Sequence, residues 1–102
     1  MAQEAAKVAR ACTDASETNI LNLSNCSLKQ IPMAVYLMTK SSAETITKVD
    51  LSNNELKTIP DKIFSHFHAA SEIDLSGNGQ ISETSKEKIL NCFGTEKTEI
   101  KF

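Results

Sequence analysis

Residues 46–59 read ITKVDLSNNELKTI, with apolar residues at Ile46, Val49, Leu51, Leu56 and Ile59, an asparagine at Asn54, and Pro60 immediately after. The same spacing runs through residues 18–32, TNILNLSNCSLKQIP, where Leu21, Leu23, Cys26, Leu28 and Ile31 take the corresponding places before Pro32. Only the first apolar position departs, occupied by Thr18. Ile73, Leu75 and Asn78 give the centre of the pattern a third time, 24 residues from Leu51 to Leu75 against 28 from Leu23 to Leu51. Each unit holds one apolar–polar alternation (Leu21/Leu23, Val49/Leu51, Ile73/Leu75), which predicts a short strand with one buried face. The second halves agree as well, since Val35-Tyr36 follows Ile31-Pro32 at the offset by which Ile63-Phe64 follows Ile59-Pro60. One such unit cannot bury its apolar face alone, so neighbours must stack.

The two ends read as helices. Residues 2–15 space Ala5, Val8, Cys12 and Ala15 along one stripe, which predicts a short amphipathic helix able to cover the first strand. Alanine is too small for that stripe to hold a membrane surface. Near the other end Ser82 and Thr84 are candidate N-caps, with Glu87 three residues after Thr84 as in a capping box. Ile89, Leu90 and Phe93 supply the expected apolar face, Gly94 the stop, and Ile100 and Phe102 the inward positions of a last strand. After Asn78 the next apolar residue, Ile81, comes one position late, since Gln80 stands where the pattern expects an apolar residue; Gly77 and the Asn78-Gly79 pair predict a local bulge.

Over residues 18–102 this pattern resembles the leucine-rich repeat proteins, whose consensus L-x-x-L-x-L-x-x-N-x-L the segment 46–56 matches in every fixed position. The resemblance implies an α/β fold, a short right-handed solenoid with parallel strands on its concave face and helical segments behind. It implies a capping helix over 1–17, repeats over 18–81 and a closing helix–strand unit over 82–102, in a single domain. It also implies that Asn54 and Asn78 turn inward to bond the backbone of adjacent loops, with Cys26 in that place in the first unit. Buried amides need such partners.

Composition narrows the function. The chain has 102 residues, 40% hydrophobic and 24% charged, with a formal net charge of -2, the profile of one globular domain without the basic excess of a nucleic-acid binder. No apolar run approaches the ~20 residues of a membrane span, and Glu4 and Lys7 interrupt any secretory leader. Three cysteines, Cys12, Cys26 and Cys92, fit a reducing compartment better than a disulfide framework, and the expectation is a cytoplasmic, possible nuclear, monomer. The sequons Asn22-Leu-Ser24 and Asn25-Cys-Ser27 would then be chance.

Little in the chain points to chemistry. His66 and His68 flank Phe67 in a back segment and are expected to face solvent, with no third ligand for a metal and no cofactor motif; LSGNG lacks the lysine of a phosphate loop. All aromatics fall on repeat positions, leaving none to stack on bases. What remains is the strand face between the inward residues: Ile20, Asn22 and Ser24, then Lys48, Asp50 and Ser52, then Glu72, Asp74 and Ser76, then Glu99 and Lys101. The family binds proteins or peptides there. Asp50 and Asp74 are expected side by side, flanked by Glu72, an acidic cluster suited to a basic segment of another protein, with Ile20 as an exposed apolar anchor. Their side chains, pointing away from the core, are expected to be replaceable with folding nearly intact. The competing readings are a merely solvated face whose acidic charge Lys48 and Lys101 relieve, an assembly piece docking through its ends and, more remotely, a hydrolase using the Asp50–Asp74 pair.

Overall fold

The computed structural model describes residues 2–93 and 98–102, with side chains over 6–91 and 98–102. Helix α1 (Ala2–Thr18) leads into strand β1 (Ile20–Asn22). Then come α2 (Met33–Met38), β2 (Lys48–Asp50), α3 (Lys62–His66), β3 (Glu72–Asp74), α4 (Glu83–Phe93) and β4 (Glu99–Lys101). The four strands form one parallel sheet in chain order, so every connection returns through a back segment. Leu21 stands opposite Val49, Val49 opposite Ile73, and Ile73 opposite Ile100, which makes the repeat register of the sequence the register of the sheet.

The inward rows carry the fold. Leu21, Leu23, Ile46, Val49, Leu51, Leu56, Ile63, Ile73 and Leu75 are buried in one core with Cys26 and Leu28. Val35 and Tyr36 of α2 and Ile63 and Phe64 of α3 close it from behind, as their shared offset predicts. Both back helices start just after an Ile-Pro pair, proline being tolerated where a helix begins.

Helix α1 packs against β1 and α2, burying Val8, Ala11, Cys12 and Ala15. It ends at Asn19, whose left-handed φ of 64° lets its N–H reach the Ala15 carbonyl at 2.9 Å before the chain enters β1. Burial pushes the Cys12 thiol pKa up and keeps it protonated; neither Cys12 nor Cys26 is in a disulfide.

At the other end the capping-box expectation is corrected. Ser82 caps α4, its Oγ accepting the Ser85 N–H at 3.2 Å, while Thr84 lies inside the helix. Ile89 is buried but Leu90 is exposed, since adjacent residues of a helix point about 100° apart. The side chains of Ala5, Cys92 and Phe93, and Gly94 as a whole, lie outside the described residues. Ile100 and Phe102 pack on the core, partly buried.

The late Ile81 is explained by a tight turn. Its N–H bonds the Asn78 carbonyl at 3.1 Å, and the turn delivers Ile81 into the core. Gly77, not Gly79, is the glycine the backbone requires. It holds φ 74° and sits in the place taken by Asn25 and Asn53, both at φ 56°, in the earlier units. Asparagine tolerates this left-handed conformation better than most residues, and glycine adopts it freely.

Candidate functional site: the open face of the sheet

Asn54 and Asn78 turn inward and bind the loops together. Asn54 Oδ1 accepts the N–H groups of Cys26 and Leu28, both at 3.0 Å, and Nδ2 donates to the carbonyls of Leu23 at 2.9 Å and Leu51 at 3.0 Å. Asn78 repeats the arrangement one unit on, accepting Leu56 N–H at 3.1 Å and donating to Leu51 and Leu75 at 2.9 Å. These bonds fix the turns from which the outward side chains project.

On the open face the structure brings the expected residues together. Asp50 lies opposite Asp74, Lys48 opposite Glu72, and Asp74 opposite Lys101. Glu72 is held between two lysines, Lys48 at 3.1 Å and Lys101 at 3.4 Å. The bond from Lys48, with Lys101 adding to it, draws the Glu72 carboxyl pKa below its ordinary value, and Glu72 in turn raises that of Lys48. The acidic cluster is thus partly neutralised where the sequence places Glu72 beside the aspartates.

The aspartates have a second task that the sequence reading misses. Asp50 Oδ1 accepts the Ser52 N–H at 3.0 Å and the Ser52 hydroxyl at 2.6 Å. Asp74 does the same with Ser76, and Asn22 with Ser24, at matching distances. The signal was present as Asn-Leu-Ser, Asp-Leu-Ser and Asp-Leu-Ser after three strands: a side-chain acceptor two residues before a serine makes this turn. Replacement of these side chains therefore does bear on the fold, which corrects the expectation of indifference. For Asp74, burial acts to raise the carboxyl pKa, but the Ser76 bonds and the lysine charges outweigh it and hold it low.

The first strand departs from this pattern. Ile20 is 43% exposed. Its N–H donates to Thr18 Oγ1 at 3.2 Å and its carbonyl lies at 3.2 Å from the same hydroxyl, so the residue that breaks the apolar pattern covers the outer edge of the sheet. Between α1 and β1 lies an open cavity of about 540 Å³, with Lys7, Arg10 and Asp14 on one side and Ile20, Asn22 and Asn25 on the other.

The expectation of two solvent-facing histidines holds for His68 alone. His66 is half-buried, with Nε2 at 2.9 Å from Thr39 Oγ1 and its ring edge-on to Tyr36 and Phe67. The Thr39 hydroxyl lies at 2.6 Å from the Val35 carbonyl, to which it donates, so its oxygen accepts the His66 N–H. Burial, with Lys62 and His68 nearby, lowers the His66 pKa. Lys62 Nζ lies over the Tyr36 ring at 4.6 Å, and the Tyr36 hydroxyl is buried without a partner among the described residues. No group of three metal-ligating side chains occurs among the described residues, and no helix there is long and apolar enough to cross a membrane.

The parallel sheet, the inward asparagines and the repeat spacing define a leucine-rich repeat domain. The family model described as Leucine Rich Repeat matches residues 45–67. The chain is similar to leucine-rich repeat-containing protein 20 of Mus musculus and to that of Homo sapiens, 31% identical to each over 80 residues. The match covers 76% of this chain and 44% of each relative, so the chain spans less than half the length of the curated proteins it matches. No solved structure matches the chain significantly.

Proposed function

We propose that the chain is a protein-interaction module of adaptor type that holds a segment of another protein across the open, concave face of its sheet, without a chemical step. Leucine-rich repeat proteins are in general interaction modules, which supports the class. The observation that carries the finer reading is the pairing of Asp50 with Asp74 in the sheet register. Each aspartate commits Oδ1 to its serine, and the second oxygen takes no part in that turn. A lysine or arginine of an extended partner can meet both carboxylates, with charge acting mainly on association rate and specificity. Catalysis by the pair has less support: acid–base work needs one carboxyl raised, and Asp74 is held low. The odd cysteine count, with Cys12 and Cys26 outside disulfides, supports the cytoplasm or nucleus as the compartment.

The test uses a fluorescein-labelled peptide of alternating lysine and leucine, measured by anisotropy against the full chain. Binding should weaken about fivefold or more in the Asp50→Asn, Asp74→Asn double variant, which keeps the Oδ1 acceptors, and lose part of its salt dependence. Equal binding by the double variant would overturn the reading.

A further inference from the structure

The groove beside β1 has chemistry of its own, opposite in sign to the middle of the face. Lys7 and Arg10 stand three residues apart on α1, both exposed, and none of the ion pairs among the described side chains involves either. They line the cavity of about 540 Å³ that opens along the outer edge of β1.

On that edge one residue keeps both main-chain groups accessible. The Leu23 N–H points across to the Asp50 carbonyl of β2 at 2.8 Å. In a parallel strand successive residues turn their main-chain groups to opposite sides, so Ile20 and Asn22 direct theirs away from β2. The Ile20 N–H is taken by Thr18 Oγ1, whose single hydroxyl proton is shared between the Ile20 and Asp14 carbonyls. The Ser24 N–H is taken by Asn22 Oδ1. The main-chain N–H and carbonyl of Asn22 remain, on the wall of the groove beside the exposed Ile20 side chain.

We propose that the groove between α1 and the outer edge of β1 docks an extended acidic segment of a partner protein. The segment is held by main-chain hydrogen bonds at Asn22, by an apolar side chain laid on Ile20 and by carboxylates facing Lys7 and Arg10. Strand addition of this kind takes affinity from main-chain bonds and selectivity from the side-chain contacts that flank them. Asp14, at the same wall, sets the limit of the acidic stretch and disfavours a carboxylate beside it. The inference goes beyond the reading of Asp50 and Asp74, since the occupant has the opposite charge.

Two fluorescein-labelled hexapeptides test it, one alternating glutamate with valine and one alternating lysine with valine, titrated against the full chain. The glutamate peptide should bind at least about tenfold more tightly to the K7E/R10E parent than to that double variant, two exposed charge reversals being worth about that factor at low salt. D50N/D74N should leave its binding unchanged. Amide hydrogen exchange at Asn22 should slow on saturation with the glutamate peptide. Circular dichroism checks that K7E/R10E keeps the helix. Absence of glutamate-peptide binding, equal binding by K7E/R10E, or an unprotected Asn22 amide would each overturn the proposal. None of these results touches the lysine-peptide test of the open face, so the two readings fail separately.

Discussion

Thr39 and His66 join the backs of two successive repeats, Oγ1 to Nε2 at 2.9 Å, and Thr39 is fully buried. Removing the hydroxyl leaves a half-buried ring N–H without its acceptor. Thr39→Val, which keeps the volume, should cost about 1–2 kcal/mol, read as a lower urea midpoint at neutral pH.

His66 also makes stability depend on pH in a known direction, through its burial and the nearby Lys62 and His68 charges. The folded chain lowers the His66 pKa, so between that value and the ordinary histidine range the unfolded chain binds more protons. The stability is complete above the unfolded pKa of about 6.5 and falls as pH drops through the folded value. His66→Gln should flatten the slope of the urea midpoint between about pH 5 and 6.5, a window above the carboxylate titrations. An unchanged slope would assign the dependence elsewhere.

Asn54 Oδ1 accepts two buried N–H groups, whereas among the described residues Asn78 Oδ1 accepts one, that of Leu56. Asn54→Ala should therefore destabilise by roughly 3 kcal/mol and exceed the loss in Asn78→Ala, each stranded buried group costing on the order of 1 kcal/mol or more. Thermal melts of the two variants side by side decide it, and equal shifts would contradict the ranking.

Asp74→Asn should leave the melting temperature nearly unchanged, because an amide oxygen still accepts both Ser76 donors. Asp74→Lys should lower stability by about 1 kcal/mol through loss of that turn acceptor. Comparable melts for the two variants would show that the turn acceptor contributes nothing measurable there.

Gly77→Ala should be destabilising by more than about 1 kcal/mol. Its φ of 74° is left-handed, and an added Cβ would lie 2.9 Å from the Asn53 main-chain nitrogen and against the Asn53 side chain. Gly79→Ala meets nothing and should be silent in the same urea titration.

The legible part of the fold was the part that repeats. Val49, Leu51, Asn54 and Leu56 announce a strand, an inward amide and a turn because burial demands those residue types at fixed spacing, and the sheet register follows from them. Thr39 and His66 stand outside the repeating pattern, so nothing in spacing alone shows that α2 and α3 bring them together. Thr18 looked like a failed apolar position because its work is at the strand edge, not in the core. On the open face Asp50, Asp74 and Glu72 were found as neighbours. The relief by Lys48 and Lys101 was legible too, but the serine bonds were not, since a residue read as pointing outward was read as unattached.

The Leu51 carbonyl receives a side-chain amide from its own unit and another from the next, Asn54 at 3.0 Å and Asn78 at 2.9 Å. Two successive units thereby share one acceptor, and loss of the earlier unit strands the Asn78 donor of the later one. Fraying from the α1 end must stop at that shared oxygen or run through it. In native-state exchange, opening of the turn between Leu51 and Leu56 should release the Leu28 and Leu56 amides together, while loss of the third unit should release Leu56 alone.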